Sequence, residues 1–393
     1  MALLPIVILL YHEVEDGRYL MNIAFDLRFV NDHFPGIGRY AFSLASAFAA
    51  LDTRHRFIFI VAQDASGRRS VPNTRYDLMS LLRSPKVRAL VAPSPFSAAG
   101  QIALPALLRL ARADVYHSPY YVFPYAGLPC PAVMTLYDVI PRLFPRESSL
   151  RARLFFDLSV RVALRQTQRI VTSSRCSRDD VARVYRVPAA RIDVVYGAAD
   201  ERFRPAEPET RAAVRTRYQL PETFALCVTS DKPHKNVDTL VKAWRLSATG
   251  QREDAPWLVL AGHRTRGLLA FDHPRIRDLG PVAESDLPAL YGSATLFVYP
   301  SRYEGFGLPP LEAMACGAPV ICSHAGSLPE VVGDAALLAD PDDAQALAAA
   351  IDRVFADSAL RATLREAGLA RAALFSWRRA AQETLAVYER VSR

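Results

Sequence analysis

Short runs of β-branched and aromatic residues alternate along the chain with longer segments whose apolar residues recur at helical spacing. This alternation is typical of parallel sheets that are covered by helices on both faces. It pauses at a polar, proline-bearing stretch, 200–221, and restarts at Phe224, which indicates two domains joined by a linker. The predicted strands are 23–29, 57–62, 87–92, 115–116, 133–138, 170–173 and 192–196 in the first half, and 224–229, 257–261, 276–279, 296–299, 320–323 and 336–338 in the second.

The length of 393 residues supports the same division, because a single core stops growing at about 250–300 residues. Hydrophobic residues make up 51% of the chain and charged residues 22%, as in a globular protein. We therefore expect an α/β protein of two doubly wound domains that face each other across a ligand-binding cleft. Three helices are predicted near the end of the chain, at 344–355, 360–369 and 377–391.

The net charge of +8 comes mainly from arginines on predicted helices, such as Arg151, Arg153, Arg161, Arg165 and Arg169. It favours anionic partners: nucleotide sugars, lipid phosphates or an acidic membrane surface. Nucleic acid is disfavoured, because no recognition motif accompanies the charge. The five cysteines form no paired metal-ligand spacing and the histidines no ligand pattern, so we expect reduced thiols, no metal site and a cytoplasmic protein.

The first twenty residues stand apart from this pattern. Residues 5–11 are strongly apolar but far shorter than the roughly 20 residues that span a bilayer. No basic residue precedes them, which argues against a signal peptide. Met21 then begins a good strand, so our hypothesis is that residues 1–20 are poorly integrated into the fold.

The stretch from Glu304 to Glu312 is the strongest functional signal in the chain. It follows a predicted strand, contains Gly305 and Gly307, and enters a short helix whose first turn is expected to hold Glu312. The amides from Gly305 to Leu308 would lie at the positive helix end, where a phosphate binds well. A turn with solvated glutamates is the alternative. The position beyond a strand end, where open α/β sheets bind ligands, favours a site for a phosphorylated, hydroxyl-rich ligand.

A second loop supplies cations at the equivalent position of another strand. Ser230, Lys232 and Lys235 follow the predicted strand 224–229 and precede a helix at 237–244. Both lysines could reach one anion near the helix start, and a diphosphate leaving group needs such stabilisation. Alone, the loop would be interpreted as a solvated basic turn; together with the glutamate loop it indicates a diphosphate site.

The first half offers weaker candidates. Gly36 and Gly38 join the first strand to a predicted helix at 40–50 and would allow a close backbone approach to a ligand, although no third glycine completes a dinucleotide motif. His117 and Asp138 lie at the ends of predicted strands and are expected to point towards the cleft. His117 could bond a sugar hydroxyl or move a proton; a buried, satisfied histidine is an equal alternative.

Taken together, these residues resemble glycosyltransferase family 4, whose members are retaining enzymes of the GT-B fold. The second half carries the closer likeness, through Lys235-Asn236, Gly280-Pro281-Val282, Tyr299-Pro300-Ser301 and Gly326-Ser327-Leu328-Pro329-Glu330, besides the paired glutamates. The first half is similar through Gly36 to Tyr40, Tyr116-His117-Ser118-Pro119 and the stretch from Thr135 to Pro141. The likeness covers roughly residues 21–393.

The resemblance implies a role for each matching residue. Glu304 would contact the transferred sugar, Glu312 the ribose and the backbone at Val282 the base, while His117 would lie beside the sugar. Diphosphate and sugar would be held by Lys235 and by the amides of Phe306, Gly307 and Leu308, with Gly38 approaching from the first domain. The implied domains are an acceptor-side domain at 21–205, a nucleotide-sugar domain at 206–375 and a helix at 376–393 that returns to the first domain.

Three departures from the family pattern are visible. Thr229 replaces a frequent glycine, His234 replaces an arginine whose charge Lys232 could supply, and Tyr137 replaces a histidine before Asp138, which affects any catalytic part of that position. The loop from Gly36 to Tyr40 and the stretch Asp138-Val139-Ile140-Pro141 are most similar to bacterial polysaccharide mannosyltransferases. GDP-mannose is therefore the first donor expected.

The predicted activity is hexose transfer from a nucleotide donor to a saccharide or polyprenyl-linked saccharide acceptor, with retention by double displacement or by same-face attack. The donor would be a substrate, and no cofactor or metal is expected. Contact with the inner face of a membrane would be peripheral. The alternatives are a nucleotide-sugar epimerase or a sugar phosphorylase on the same fold, and a non-catalytic nucleotide-sugar-binding module.

Overall fold

The structure is a computed structural model that describes residues 20–31, 35–62, 76–124, 127–263 and 271–392. The chain divides into two compact units. The first contains the described residues up to Ser173, Arg178–Val195 and the chain from Trp377 onward; the second contains Ser174–Ser177 and Tyr196–Ser376. Their boundary precedes the predicted one at 205/206. The hypothesis about residues 1–20 concerns residues that, apart from Leu20, lie outside those described.

The first unit contains a parallel sheet of seven strands. They are β1 (Asn22–Asp26), β2 (Arg56–Ala62), β3 (Val87–Ala92), β4 (Val115–Ser118), β5 (Ala132–Thr135), β6 (Arg169–Thr172) and β7 (Ile192–Val194). Across the sheet they run β3-β2-β1-β4-β5-β6-β7, so the winding direction reverses between β1 and β4. This is the Rossmann-like, doubly wound arrangement expected from the sequence.

Both faces of this sheet are buried. Phe57 and Phe59 of β2 belong to one apolar cluster, while Ile58 and Ile60 between them belong to another. This double burial explains why the strands are nearly continuous apolar runs in the sequence. The accompanying helices are α1 (Pro35–Ala50), α2 (Leu78–Leu81), α3 (Ala98–Leu110), α4 (Ile140–Leu143), α5 (Leu150–Gln166) and α6 (Arg175–Tyr185).

The second unit contains a parallel sheet of six strands. They are β8 (Phe224–Val228), β9 (Trp257–Ala261), β10 (Ile276–Asp278), β11 (Leu296–Tyr299), β12 (Val320–Ser323) and β13 (Leu337–Ala339). The order β10-β9-β8-β11-β12-β13 makes β8 and β11 neighbours at the point where the winding reverses. Its helices are α7 (Pro208–Arg217), α8 (Val237–Leu246), α9 (Ala248–Gln251), α10 (Leu287–Ser293), α11 (Leu308–Ala315), α12 (Leu328–Val332), α13 (Ala344–Ala356) and α14 (Ser358–Ala372).

The last helix, α15 (Trp377–Val391), belongs to the first unit. Its apolar side includes Ala381, Val387 and Tyr388, which are buried in the same cluster as Phe48 of α1. The Tyr388 and Phe48 rings lie 5.9 Å apart between centroids. The C-terminal helix therefore completes the core of the first sheet.

Several predicted elements differ from the observed ones. Helix α1 begins at Pro35 rather than at residue 40, because proline suits a first helical turn, so Gly36 and Gly38 lie within the helix. The predicted linker contains α7, which also has a proline in its first turn and belongs to the second unit. Arg169 lies in β6 rather than on a helix and pairs with Asp193 at 2.8 Å.

Candidate active site

An ion pair between Lys235 and Glu304 lies beyond the carboxyl ends of β8 and β11. Nζ of Lys235 is 2.8 Å from Oε1 and 2.9 Å from Oε2 of Glu304, and it donates to the Tyr299 hydroxyl at 3.1 Å. The ammonium also lies 5.6 Å from the centroid of the Tyr299 ring. The side chains of Lys235 and Glu304 are 17% and 11% exposed, so the pair is largely enclosed but still reaches the surface.

The topology of the second sheet explains why these two charges meet. Lys235 follows β8 and Glu304 follows β11, and these strands are hydrogen-bonded parallel neighbours. Because the winding reverses between them, their outgoing connections diverge and leave a crevice at the strand ends. The structure therefore brings together the two loops that the sequence singled out.

Asn236 fastens the lysine loop to the glutamate loop. It has a left-handed backbone, with φ 61°, and its side-chain amide donates to the carbonyls of Pro300 at 2.9 Å and Pro341 at 2.7 Å. The amide of Arg302 donates to the carbonyl of His234 at 2.8 Å. These bonds fix the position of the connection after β8 relative to the connection after β11.

The backbone of Glu304 is held from its other side by Gly326 and Ser327. Gly326 has φ +56°, and a Cβ there would lie 2.9 Å from the amide nitrogen of Glu304. The Ser327 hydroxyl donates to the carbonyls of Glu304 at 2.9 Å and Phe306 at 2.6 Å. The position of the carboxylate is thus determined by a glycine that lets the two segments touch and by a serine that bonds them.

Three consecutive backbone amides lie just after Glu304. Gly307 has φ 109° and precedes α11, which begins at Leu308 and continues with Pro309 and Pro310. Within the described ranges, the amides of Phe306, Gly307 and Leu308 donate to no acceptor. Since the prolines carry no N–H, these are the donors at the positive end of the helix, a suitable position for a phosphate.

Glu312 is more deeply buried than the sequence suggested. The prediction put it in the first turn of α11, but that helix begins before the proline pair, at Leu308, so Glu312 is in its second turn. It is 2% exposed and accepts a hydrogen bond from the Tyr291 hydroxyl at 3.1 Å. This carboxylate is therefore almost completely enclosed in the structure.

The charge state of the pair follows from its surroundings. Burial acts to raise the pKa of the Glu304 carboxyl, but the charge and hydrogen bonds of Lys235 outweigh it and hold that pKa below its ordinary value. Burial, reinforced by the Glu304 carboxylate, raises the pKa of the Tyr299 phenol well above its ordinary value. At neutral pH the site therefore holds an anionic Glu304 and a neutral Tyr299.

The remaining candidates of the second unit occupy the same edge of the sheet. Lys232 is exposed and forms no ion pair within the part of the chain that the structure describes, and Ser230 is half-buried in the same loop. Val282 is half-buried beyond the end of β10. The carbonyl of Gly305 accepts a hydrogen bond from Ser177 at 3.0 Å.

His117 is a buried, satisfied histidine in this structure. It is 0% exposed, and its ring nitrogens are hydrogen-bonded to the hydroxyls of Tyr388 at 2.5 Å and Thr135 at 2.8 Å. Burial lowers the pKa of the imidazole to about 3, so it is neutral. Because no ring nitrogen reaches the surface, we assign His117 a structural role in joining β4, β5 and α15, in place of the predicted contact with a sugar.

The other candidates of the first unit make contacts with nearby residues of the same unit. Gly38 is buried within α1, where a Cβ would lie 3.3 Å from the carbonyl oxygen of Asn31. Asp138 lies beyond the end of β5, is half-buried and accepts a hydrogen bond from the amide of Ile140 at 2.9 Å. Tyr137, which stands where the family often has histidine, packs edge-on against Tyr40 at 5.0 Å between ring centroids.

Comparison with known proteins identifies the family. Residues 35–203 match Glycosyltransferase Family 4, and residues 212–371 match Glycosyl transferases group 1. O-antigen chain mannosyltransferase B of Escherichia coli is 37% identical over 298 residues, which cover 72% of this chain and 76% of that protein. The chain is a glycosyltransferase of this family. The resemblance inferred from the sequence is confirmed.

Solved structures show the fold of this glycosyltransferase to be GT-B. Sucrose-phosphate synthase from Thermosynechococcus elongatus matches 94% of this chain and 98% of that chain, with a TM-score of 0.72 at 22% identity. HepE from Anabaena, solved with UDP and glucose, matches 94% of this chain and 100% of that chain, with a TM-score of 0.70 at 21% identity. At these identities the likeness concerns the fold alone.

Sequence reasoning missed two side chains of the glycosyltransferase site. Tyr299 was interpreted as the end of a strand and as part of the stretch Tyr299-Pro300-Ser301 that carried the resemblance, but not as a partner of Lys235, and Tyr291 gave no signal of its contact with Glu312. Ser327 belongs to the stretch Gly326-Ser327 that carried the family resemblance, so a signal existed for its position but not for its hydrogen bonds. Side chains that support a site from within the core look like ordinary core residues in the sequence.

Within the described ranges, no group of three or more His, Cys, Asp and Glu side chains is arranged to hold a metal ion. No helix in those ranges combines the length and the apolar character needed to cross a bilayer.

Proposed function

We propose that this glycosyltransferase transfers mannose from GDP-mannose to a hydroxyl of a saccharide or polyprenyl-linked saccharide during synthesis of a surface polysaccharide. The mannosyltransferase relative in Escherichia coli supports the sugar and the O-antigen context. The UDP and glucose named for HepE support a nucleotide and a sugar as ligands of this fold. The observation that carries the proposal is the convergence of Lys235, Glu304 and three backbone amides at the switch point of the second sheet.

The donor diphosphate is proposed to bind between the lysine loop and the start of α11. Lys235 is one cation at this position, and the exposed Lys232 is long enough to add a second. The amides of Phe306, Gly307 and Leu308 would donate to phosphate or sugar oxygens. The other contacts proposed for the donor come from Ser230 and Gly305 to the phosphates, from Glu312 to the ribose, and from the backbone of Val282 to the base.

Glu304 is proposed to accept hydrogen bonds from hydroxyls of the transferred sugar. Both of its oxygens bond Lys235, so sugar hydroxyls and the ammonium would share one carboxylate while Lys235 also meets the diphosphate. A carboxylate engaged in this way is a poor nucleophile towards an anomeric carbon. We therefore favour same-face attack over a double displacement through Glu304.

In the proposed reaction the bond between the anomeric carbon and the donor phosphate oxygen breaks, and the acceptor hydroxyl oxygen bonds to that carbon on the same face. The proton of the acceptor hydroxyl passes to the departing phosphate oxygen, which leaves nucleoside diphosphate and the glycoside. Negative charge grows on the diphosphate as the bond breaks, so Lys235, Lys232 and the loop amides would lower the barrier by stabilising it. With these cations as the neutralising groups, the proposal needs no divalent metal.

The first unit is proposed to bind the acceptor. Asp138 is its candidate acid, and α1 with Gly38 its candidate close approach to the ligand; His117 is left out because it is enclosed. A polyprenyl-linked acceptor would place the protein at the cytoplasmic face of a membrane as a peripheral protein.

The first experiment is a thermal-shift screen with GDP-, UDP- and ADP-sugars, because only the fitting donor should raise the melting temperature strongly. With that donor, Lys235→Ala should lower turnover by about 100-fold or more. Lys242→Ala, which removes an exposed lysine of α8, should leave turnover unchanged. Glu312→Ala should mainly weaken nucleotide binding. Normal kinetics in both Lys235→Ala and Glu312→Ala would contradict these roles.

NMR of the product separates the remaining possibilities. If the anomeric proton of the product has the same axial or equatorial orientation as in the donor, the reaction is retaining as proposed. The opposite orientation would show inversion and overturn this part of the proposal. Interconversion of nucleotide sugars without an acceptor would identify an epimerase. Donor binding without release of nucleoside diphosphate, in the presence of lipid extract, would identify a binding module.

A further inference from the structure

A group of large apolar side chains on the first unit remains open to solvent and has no part in the proposed site. They come from the segment before α3, from α3 and from α5, and each is between 48% and 76% exposed. We call them the apolar face: Phe96, Ile102, Leu150, Leu154, Phe155 and Leu158.

The apolar face is continuous because a cavity of about 570 Å³ joins its two helices. Phe96 and Ile102 line this cavity from the α3 side, and Phe155 lines it from α5 together with Ser159 and Val162. On α5, Leu158 follows Leu154 by four residues and Phe155 by three, and these spacings place side chains next to each other on a helix. The leucines therefore extend the apolar mouth of the cavity around the outer side of α5.

The charge around this face is strongly positive. Together α3 and α5 contain five arginines, Arg109 on α3 and Arg151, Arg153, Arg161 and Arg165 on α5, but a single acid, Asp157. Asp157 is already paired with Arg161 at 2.9 Å and lies 3.7 Å from Arg142. Arg151 and Arg165 are exposed and form no ion pair within the described ranges.

We propose that the apolar face docks on the surface of an anionic lipid bilayer. Its leucines and phenylalanines would enter the boundary between headgroups and acyl chains, the cavity would admit part of a lipid chain, and the arginines would contact lipid phosphates. Exposed apolar side chains on helices rich in arginine match this chemistry on both counts. A second copy of the chain is a poorer occupant, since a two-fold interface would set the same arginine-rich surface against itself.

This proposal names the surface that serves the membrane location suggested under the proposed function. The test uses sucrose-loaded vesicles of phosphatidylcholine, with and without phosphatidylglycerol, in a sedimentation assay that needs neither donor nor acceptor. Failure of docking would therefore leave the transferase proposal untouched. Wild-type protein should sediment with the anionic vesicles, with at least tenfold weaker binding to phosphatidylcholine alone.

Two variants divide the apolar and the charged contributions. Leu154→Glu/Leu158→Glu and Arg151→Glu/Arg165→Glu should each weaken binding to anionic vesicles about tenfold or more. The control is Leu246→Glu/Leu374→Glu, which makes the same changes at leucines of the second unit that are 44% and 59% exposed. It should bind like wild type. Circular dichroism spectra and melting temperatures that match wild type in all three would show that folding is intact.

Wild-type binding by the leucine variant, or no wild-type binding to anionic vesicles, would overturn the proposal. Sedimentation velocity tests the alternative occupant of the apolar face, a second copy of the chain. A wild-type dimer that the leucine variant loses, without vesicle binding by either protein, would assign the apolar face to a second copy of the chain.

Discussion

Lys235 bonds both carboxylate oxygens of Glu304, at 2.8 and 2.9 Å, so the cation proposed to hold a diphosphate and the acid proposed to hold a sugar are each other's partners. The Lys235 ammonium lies over the Tyr299 ring, and the pair is largely enclosed. A donor that binds here meets an ammonium and a carboxylate that already hold each other in position. It would share the hydrogen bonds that these two groups otherwise make with each other. The geometry makes the two residues a single energetic unit.

A double-mutant cycle tests this coupling. Lys235→Met and Glu304→Gln should each destabilise the protein, because either change leaves a mostly enclosed charge without its partner. The double variant should be more stable than the sum of the two effects predicts, with a coupling free energy of about 1–3 kcal/mol. Urea unfolding without donor provides the measurement. Additive effects would show that the pair contributes contacts but no coupling.

A pH dependence follows from the burial of His117. Burial lowers its folded pKa to about 3, against about 6.5 in an unfolded chain. Below pH ~6.5 the unfolded chain therefore binds a proton that the folded chain does not, and the free energy of unfolding falls by about 1.4 kcal/mol per pH unit towards pH ~3. In His117→Gln this contribution should be absent, which urea unfolding between about pH 6 and 4 would show.

Tyr388→Phe is the matched control for that experiment. It removes the hydroxyl that bonds the imidazole but leaves the ring buried, so it should lower stability by about 1–3 kcal/mol while keeping the wild-type slope. If His117→Gln kept the wild-type slope as well, the imidazole would be titrating normally and could not be enclosed as described.

The close approach of Gly326 to Glu304 gives a third prediction. In Gly326→Ala the new Cβ would lie 2.9 Å from the amide nitrogen and 3.1 Å from the carbonyl oxygen of Glu304, at a backbone φ of +56°. Stability should fall by about 1–3 kcal/mol, and donor binding should weaken because Glu304 shifts. Gly292→Ala in α10, whose Cβ meets nothing closer than 3.4 Å, should be tolerated. Thermal melting and donor titration of both variants provide the comparison.

The sequence was informative about the sheets because their strands are buried on both faces. A run such as Trp257–Ala261 has few interpretations when helices must cover it on each side. The meeting of Lys235 and Glu304 was also predictable, since both loops follow strands, and the switch point of an open sheet is where such loops converge.

What the sequence did not reveal depends on contacts between distant segments. His117 and Tyr388 are 271 residues apart, and no local pattern announces that a C-terminal tyrosine satisfies a histidine of β4. Glu312 lies in the second turn of α11 because that helix begins at Leu308, one residue before the proline pair. No sequence pattern marks the left-handed backbone of Gly307, which precedes this start. The predicted boundary between the domains, at 205/206, lies after the observed one because α7 has a polar surface and resembles a linker in the sequence.

Asn236 provides the last prediction, because a pair of substitutions can separate its two contributions. Its amide holds the carbonyls of Pro300 and Pro341, and its backbone is left-handed, with φ 61°. Asn236→Gly keeps the backbone conformation available and removes both of these hydrogen bonds, together with the one that the amide oxygen accepts from the Thr239 hydroxyl at 2.7 Å, so stability should fall by about 2 kcal/mol. Asn236→Ala should lose about 1 kcal/mol more, because alanine resists the left-handed conformation. Both should raise the KM for the donor several-fold, since the loop that carries Lys235 loses one of its hydrogen bonds to the loop that carries Glu304. Urea unfolding and donor titration measure the two effects. Equal stability of the glycine and alanine variants would contradict the backbone argument. Wild-type stability of the glycine variant would show that the two hydrogen bonds do not hold the loops together.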